Sequence, residues 1–177
     1  RKHPEWFFTY GGKKQFDPGI PEVREYIVQV ILDVVKEYDV DGIHFDDYFY
    51  PYKLEGQTIN DSDTFNKYRE DFTDIRDWRR NNVNLLIKEL DDSIHHYKKW
   101  VKFGVSPFGI WRNKNEDPEG SATAGLSNYA ELFADSRKWV KEGWVDYINP
   151  QIYFSFTRRV APFGTLVDWW SNNSYGR

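Results

Sequence analysis

The stretch Asp41-Gly42-Ile43-His44-Phe45-Asp46-Asp47-Tyr48 decides how this chain is read. Val40, Ile43 and Phe45 favour extended backbone and the run is short and apolar, so residues 40–48 read as a buried strand. Side chains alternate along a strand. His44, Asp46 and Tyr48 therefore share one face, and Ile43, Phe45 and Asp47 share the other. Ile43 and Phe45 suit a face packed on helices. His44, Asp46 and Tyr48 then point the other way, at the carboxyl end of the strand, with Asp47 at the lip and able to turn to either side. A carboxylate pointing inward is costly unless something pairs with it or uses it.

Outward from this strand, helical and extended patterns alternate. Val23, Ile27, Val30, Ile31, Val34, Val35 and Tyr38 recur at helical spacing, which predicts a helix over 21–38. Pro21 suits its first turn, and Glu22 complements the helix dipole. Residues 3–19 read as a loop ending in the turn Asp17-Pro18-Gly19. Downstream come a loop over 51–63, a long helical region over 64–98, and a strand over 100–105 that ends in Ser106-Pro107-Phe108-Gly109. A polar loop over 112–126, a helix over 128–141, a strand over 144–153 interrupted by Pro150, and a short helix near 165–172 complete the chain.

Strands alternating with helices indicate βαβ units and a parallel sheet. A doubly wound sheet would announce a glycine-rich phosphate loop at a strand end, and none is present. A (β/α)₈ TIM-like barrel places its chemistry on strand ends with long loops after them. The aromatic-rich loops after residues 48 and 109 fit that architecture. The expected fold class is thus α/β, with residues 1–177 forming a single partial barrel domain, since only three strands are evident.

Composition narrows the function classes. The formal net charge is −4, and Lys and Arg are scattered, so no nucleic-acid surface is expected. The chain has no cysteine, which excludes a disulfide framework, a thiolate nucleophile and a cysteine-ligated metal. No apolar run approaches a membrane span. The first residue is Arg1 and there is no Met, so the chain reads as an internal piece of a longer protein. Aromatic residues make up 19%, with eight Trp and twelve Tyr. Many belong to a core, but Tyr and Trp also offer flat, half-wet surfaces on which the C–H faces of sugar rings can lie.

Glycoside hydrolysis commonly uses two carboxyl groups flanking the scissile bond. Asp46 is the candidate to attack or stabilise the anomeric centre, against the alternative of a capping or Arg-paired carboxylate. Asp47 is a second candidate, unless its face packs on helices. His44 has three open readings: proton carrier, metal ligand or hydrogen-bond anchor. The two later strands end in Ser106, Asn149, Gln151 and Tyr153, without an acid. Asp17 is a candidate partner by topology, because the helix over 21–38 starts on the same side of the sheet as the end of strand 40–48. That places Asp17, Trp6 and Tyr10 there, although Asp17 is equally suited to hold its own turn. Glu116, Asp117 and Glu119 lie in the loop after the next strand, within reach of the same side, and a partner acid outside this chain is the remaining alternative.

A resemblance adds to these readings. Residues 41–51, Asp-Gly-Ile-His-Phe-Asp-Asp-Tyr-Phe-Tyr-Pro, resemble the signature of the glycosyl-hydrolase-like family ten. Three further stretches are similar to that family in the same order: Phe16-Asp17-Pro18-Gly19-Ile20-Pro21-Glu22-Val23-Arg24, Gly104-Val105-Ser106-Pro107-Phe108-Gly109-Ile110-Trp111-Arg112, and Asp146-Tyr147-Ile148-Asn149-Pro150-Gln151-Ile152-Tyr153. The resemblance covers nearly the whole chain. It implies a protein of the bacterial cell envelope or periplasm with a TIM-like barrel, of which this piece spans about the fourth to sixth strands. Some members of the family are peptidoglycan glycan-strand hydrolases. Asp46 also falls where the distantly similar amylase-type barrels keep a nucleophilic Asp, while His44 stands where they have Arg.

The expected partner is therefore a polysaccharide or glycan. His44, Tyr48, Tyr50, Trp111, Arg112, Asn149, Gln151 and Tyr153 are the expected substrate-binding residues, and no cofactor or metal is expected. Two alternatives remain: a non-catalytic carbohydrate-binding barrel, and a metal-dependent hydrolase using His44, Asp46 and Asp47.

Overall fold

The computed structural model describes residues 2–177. Its centre is a three-stranded parallel sheet of β3 (Gly42–Phe45), β4 (Lys102–Val105) and β5 (Tyr147–Ile148), in that order, and open at both edges. Gly42 to Phe45 pair in register with Lys102 to Val105, and Gly104 and Val105 pair with Tyr147 and Ile148. The molecule is therefore a mixed α/β domain.

Helices α1 (Pro21–Glu37) and α3 (Ile75–Tyr97) cover one face of the sheet. Val28, Leu32 and Val35 from α1 meet Leu86, Ile87, Leu90 and Ile94 from α3 over Ile43, Phe103 and Val105. Each such buried aliphatic side chain stabilises the fold by roughly 1.5–3 kcal/mol, which favours the helices on this face over isolated strands. Along β3 the burial alternates as the sequence predicts: Ile43 is buried and Phe45 half-buried, whereas His44 and Asp46 are exposed on the opposite face.

Four elements differ from the sequence reading. Residues 3–19 are not simply a loop: β1 (Phe7–Tyr10) and β2 (Lys13–Phe16) form an antiparallel hairpin. Its turn is Gly11-Gly12, with φ of 57° and 71°, a backbone that residues with a Cβ disfavour. The long helix over 64–98 is two helices, α2 (Ser62–Tyr68) and α3, separated at Glu70 with a left-handed φ of 47°. Asp74 starts α3 afresh by accepting the Arg76 N–H at 2.7 Å. The helix over 128–141 is likewise divided into α4 (Asn128–Glu131) and α5 (Ser136–Glu142), with Phe133 at φ 54° between them. The last strand is short: beyond Ile148 only the Asn149 and Gln151 N–H groups still donate, to the Val105 and Pro107 carbonyls at 2.9 Å each, and a single bridge pairs Phe108 with Gln151. Finally, α6 (Phe163–Asn173) lays Leu166 and Trp170 into the interior.

Candidate active site

The exposed face of the parallel sheet carries two tiers of side chains. The lower tier is His44, Gly104 and Tyr147, which stand side by side in register on β3, β4 and β5. Gly104 is required there by close approach: a Cβ would fall 2.2 Å from the Tyr147 ring. With that space free, Tyr147 leans across β4 and stacks against the His44 ring at 5.6 Å. Its hydroxyl is hydrogen-bonded to His44 Nδ1 at 2.9 Å, and His44 Nε2 is bonded to Ser106 Oγ at 2.6 Å. Both ring nitrogens are thus engaged within the chain, which is the hydrogen-bond-anchor reading of His44.

Asp46 stands one tier higher, just past the end of β3. Its Oδ1 accepts the Asp47 N–H at 2.7 Å and the Gln151 amide at 2.8 Å. Gln151 uses the same nitrogen to donate to the Ser106 carbonyl at 2.8 Å. Partial desolvation alone would raise the Asp46 pKa, but the Asp47 N–H, the Gln151 amide, the Asp47 carboxyl and the nearby His44 outweigh it, and the carboxyl is held below its ordinary value. Asp46 is thus an ionised carboxylate held on Oδ1 and exposed to solvent.

Asp47 is 2% exposed and accepts a hydrogen bond from the Tyr52 hydroxyl. Burial pushes its pKa up against the Tyr52 bond, and the neighbouring Asp46 carboxyl adds to the rise. The two carboxyls are thus neighbours, but both His44 nitrogens are taken by Tyr147 and Ser106, so the three do not form the ligand set that the metal-dependent reading needs. Among the described residues, no group of three or more His, Asp or Glu side chains is placed to hold a metal ion.

Beside Asp46 an open groove of ≈ 250 Å³ runs between the end of β3 and the covering helices, lined by Gln15, Phe16, Pro18, Ile27, Phe45, Asp46, Tyr48, Phe49, Val83 and Leu86. The hairpin and the turn before α1 thus reach the end of β3. Tyr48 and Tyr153 are 70% and 85% exposed, and Asn149 is exposed as well. These are surfaces on which a sugar ring can lie.

The other expected site residues are placed elsewhere. Asp17 is 3% exposed; its oxygens accept the Gly19 N–H at 2.9 Å and the Thr64 hydroxyl at 2.6 Å, so it holds the turn before α1 and helps join α2 to it. Burial raises its pKa more than those two bonds lower it. Tyr50 and Trp111, expected to be partly exposed, are 1% and 5% exposed. Tyr50 packs edge-on against Phe133, and the Trp111 indole stacks on Trp169 at 5.7 Å while donating to Asp135 at 2.8 Å. Arg112 is occupied inside its own loop by Asp117 at 2.6 Å and by the Glu116 carbonyl. The three loop acids are engaged as well, Glu116 by the Asn113 N–H, Asp117 by Arg112 and Glu119 by Arg137.

Two groups at the strand ends escaped the sequence reading. Tyr147 could have been found by extending the alternation of the last strand two residues back from Asn149. Tyr52 had no such signal, because its hydroxyl reaches Asp47 through a loop.

Residues 1–177 match the family described as Glycosyl hydrolase-like 10. The chain is 51% identical over 179 residues to "Glycosyl hydrolase YngK" of Bacillus subtilis (strain 168), covering 100% of this chain and 35% of that protein. It is 46% identical over 171 residues to "Glycosyl hydrolase DigH" of Escherichia coli (strain K12), covering 97% of this chain and 39% of that protein. It therefore spans little more than a third of the length of these curated relatives. The chain belongs to the glycosyl hydrolase-like 10 family.

Proposed function

We propose that this chain supplies part of the active site of a glycoside hydrolase of the bacterial cell envelope that cuts a polysaccharide, such as peptidoglycan glycan strands, with paired carboxylates. In this reading the three parallel strands are about the fourth to sixth of a (β/α)₈ barrel, residues 1–177 are one part of that domain, and the exposed sheet face is its lumen side. The observation that carries the proposal is Asp46: an ionised, exposed carboxylate at the carboxyl end of a parallel strand, held on one oxygen by the Asp47 N–H and the Gln151 amide. Strand ends of this kind are where barrel enzymes place catalytic groups.

Asp46 attacks or stabilises the anomeric carbon. His44, through Tyr147 and Ser106, fixes the strand ends beneath it. Tyr48, Tyr153 and Asn149 receive the sugar. Asp47 and Asp17 act as positioning groups, the first through its backbone N–H to Asp46 and the second through the turn beside the groove. The proton donor then comes from the part of the protein outside this chain, since Asp17, Asp47 and the three loop acids are held by the chain's own groups.

A second reading, a carbohydrate-binding barrel without cleavage, is favoured by that same lack of a free acid opposite Asp46 among the described residues. Incubating the full-length protein with purified peptidoglycan glycan strands separates the two. New reducing ends support the hydrolase; retention of the strands without new reducing ends supports the binding module.

A further inference from the structure

Arg24 closes the Phe16–Arg24 motif, yet the proposed chemistry does not use it. It lies in the first turn of α1 and is 8% exposed. Its Nη1 donates to the Pro18 carbonyl at 2.6 Å and to Asn82 Oδ1 at 3.3 Å. Its buried Nε has no hydrogen-bond partner, and among the described residues no acceptor meets Nη2 and no carboxylate lies within ion-pair distance. Nε and Nη2 form the side-on edge of a guanidinium, the edge that meets a carboxylate or phosphate with two parallel N–H···O bonds. Asn82 is 3% exposed; its Oδ1 is taken by Arg24 and its side chain also meets the buried Tyr50 hydroxyl.

Arg24 and Asn82 both line a cavity of ≈ 410 Å³, together with Gly19, Lys67, Tyr68 and Trp78. The acidic residue on its lining, Glu70, is exposed to solvent. The N-terminus of the 17-residue helix α1 lies at the same place, and no side chain caps it. Pro21 has no N–H and the Val23 and Arg24 N–H groups already donate to the Ile20 carbonyl, so it is the helix dipole that favours an anion there. A buried guanidinium with an unpartnered N–H edge, which Glu89 offsets only from beyond ion-pair distance, is costly in isolation; one anion on that edge satisfies it.

We propose that this cavity is an oxyanion-binding subsite that takes a carboxylate or phosphate group on the free edge of Arg24, with Lys67 alongside. Pro18 connects it to the groove. The same residue lines the groove beside Asp46 and, through its carbonyl, holds Arg24. A group bound in the cavity therefore sits on the far side of one turn from the proposed catalytic carboxylate. The shared chemistry can be carried by an acidic substituent of a glycan or by a free oxyanion; only the glycan carrier rests on the function proposed above.

The test uses full-length protein carrying Asp46→Asn, so that cleavage does not consume the ligand. It is titrated calorimetrically with inorganic phosphate, with a carboxylate-bearing oligosaccharide, and with the same oligosaccharide after carboxyl reduction. The subsite predicts that phosphate binds, or that the acidic oligosaccharide binds about tenfold or more tightly than its reduced form, the range expected for charge-assisted hydrogen bonds. The first result alone assigns a free anion; the second assigns a glycan substituent. Adding Asn82→Asp places an internal carboxylate against Arg24. It should abolish the anion binding while raising the melting temperature, which also guards against a variant that has merely unfolded. If neither phosphate nor the acidic oligosaccharide is preferred, or if Asn82→Asp binds like its parent, Arg24 is only the clamp on Pro18 and the subsite is overturned. The phosphate arm and the Asn82→Asp comparison hold even for a protein that cleaves no glycan.

Discussion

Gln151 Nε2 lies 2.8 Å from Asp46 Oδ1 and 2.8 Å from the Ser106 carbonyl, so one side-chain amide ties together the ends of all three parallel strands. The contact bridges 105 residues of sequence. It gives Asp46 a donor that favours its ionised form and fixes the carboxylate relative to β4 and β5.

Replacing Gln151 by Glu tests that relationship. The variant exchanges a donor for a second carboxylate beside Asp46, and like charges disfavour ionisation, typically by about one pH unit or more. The acidic limb of the cleavage-versus-pH profile of the full-length protein should therefore move upward. In the parent, Asp46 is held below its ordinary value, so its ionised fraction persists as pH falls and is lost only through that lowered pKa. An unmoved acidic limb in the variant would mean that Gln151 does not govern Asp46.

Asp47 makes a prediction of opposite sign. Burial raises its folded pKa, so the folded state binds this proton more tightly than the unfolded chain does. Stability attributable to Asp47 is then lost as pH rises through the raised pKa, and the cost is fully present at neutral pH. Asp47→Asn keeps an oxygen for the Tyr52 hydroxyl and removes the charge. Its melting temperature should equal or exceed the parent's at pH 7, with the difference vanishing below the ordinary carboxyl value of 3.8. Melting curves across pH check this, and a variant destabilised at pH 7 but not at low pH would reverse the sign.

How much of this was legible from the sequence depends on the range of the interactions. The strand around Asp46 was readable because alternation is a local property, and Ile43 and Phe45 were enough to set which face meets the helices. α1 was readable for the same reason. The hairpin was signalled by Gly11-Gly12 after the aromatic run Trp6-Phe7-Phe8-Thr9-Tyr10, but each of its strands is only four residues long and the turn Asp17-Pro18-Gly19 dominates the segment. The breaks at Glu70 and Phe133 left no mark, because each is a single left-handed residue inside a helical pattern. Trp111 and Tyr50 were the least readable. Trp111 is buried by Trp169, 58 residues later, and Tyr50 by Phe8 and Phe133, and neither contact is visible until the chain is folded.

That contrast between buried and exposed aromatics yields a paired prediction. Trp111→Ala removes a stacked, hydrogen-bonded indole and should destabilise the protein by about 3–5 kcal/mol, the usual cost of truncating a buried aromatic. Tyr153→Ala removes a side chain that is 85% exposed. It should leave stability within about 0.5 kcal/mol while weakening glycan binding. Chemical denaturation alongside binding to glycan strands checks both. A stable Trp111→Ala protein with weakened binding would return Trp111 to the groove.

The central claim is that Asp46 carries the chemistry, and its most direct test is the rate of reducing-end release from peptidoglycan glycan strands by full-length Asp46→Asn protein. The substitution keeps size and an acceptor for the Gln151 amide and removes the charge. Losing one charge-stabilising group commonly costs about 10²–10³ in rate, and losing a nucleophile costs more. The account predicts a fall of at least that size with the melting temperature little changed. Cleavage by Asp46→Asn at the parent's rate would contradict it.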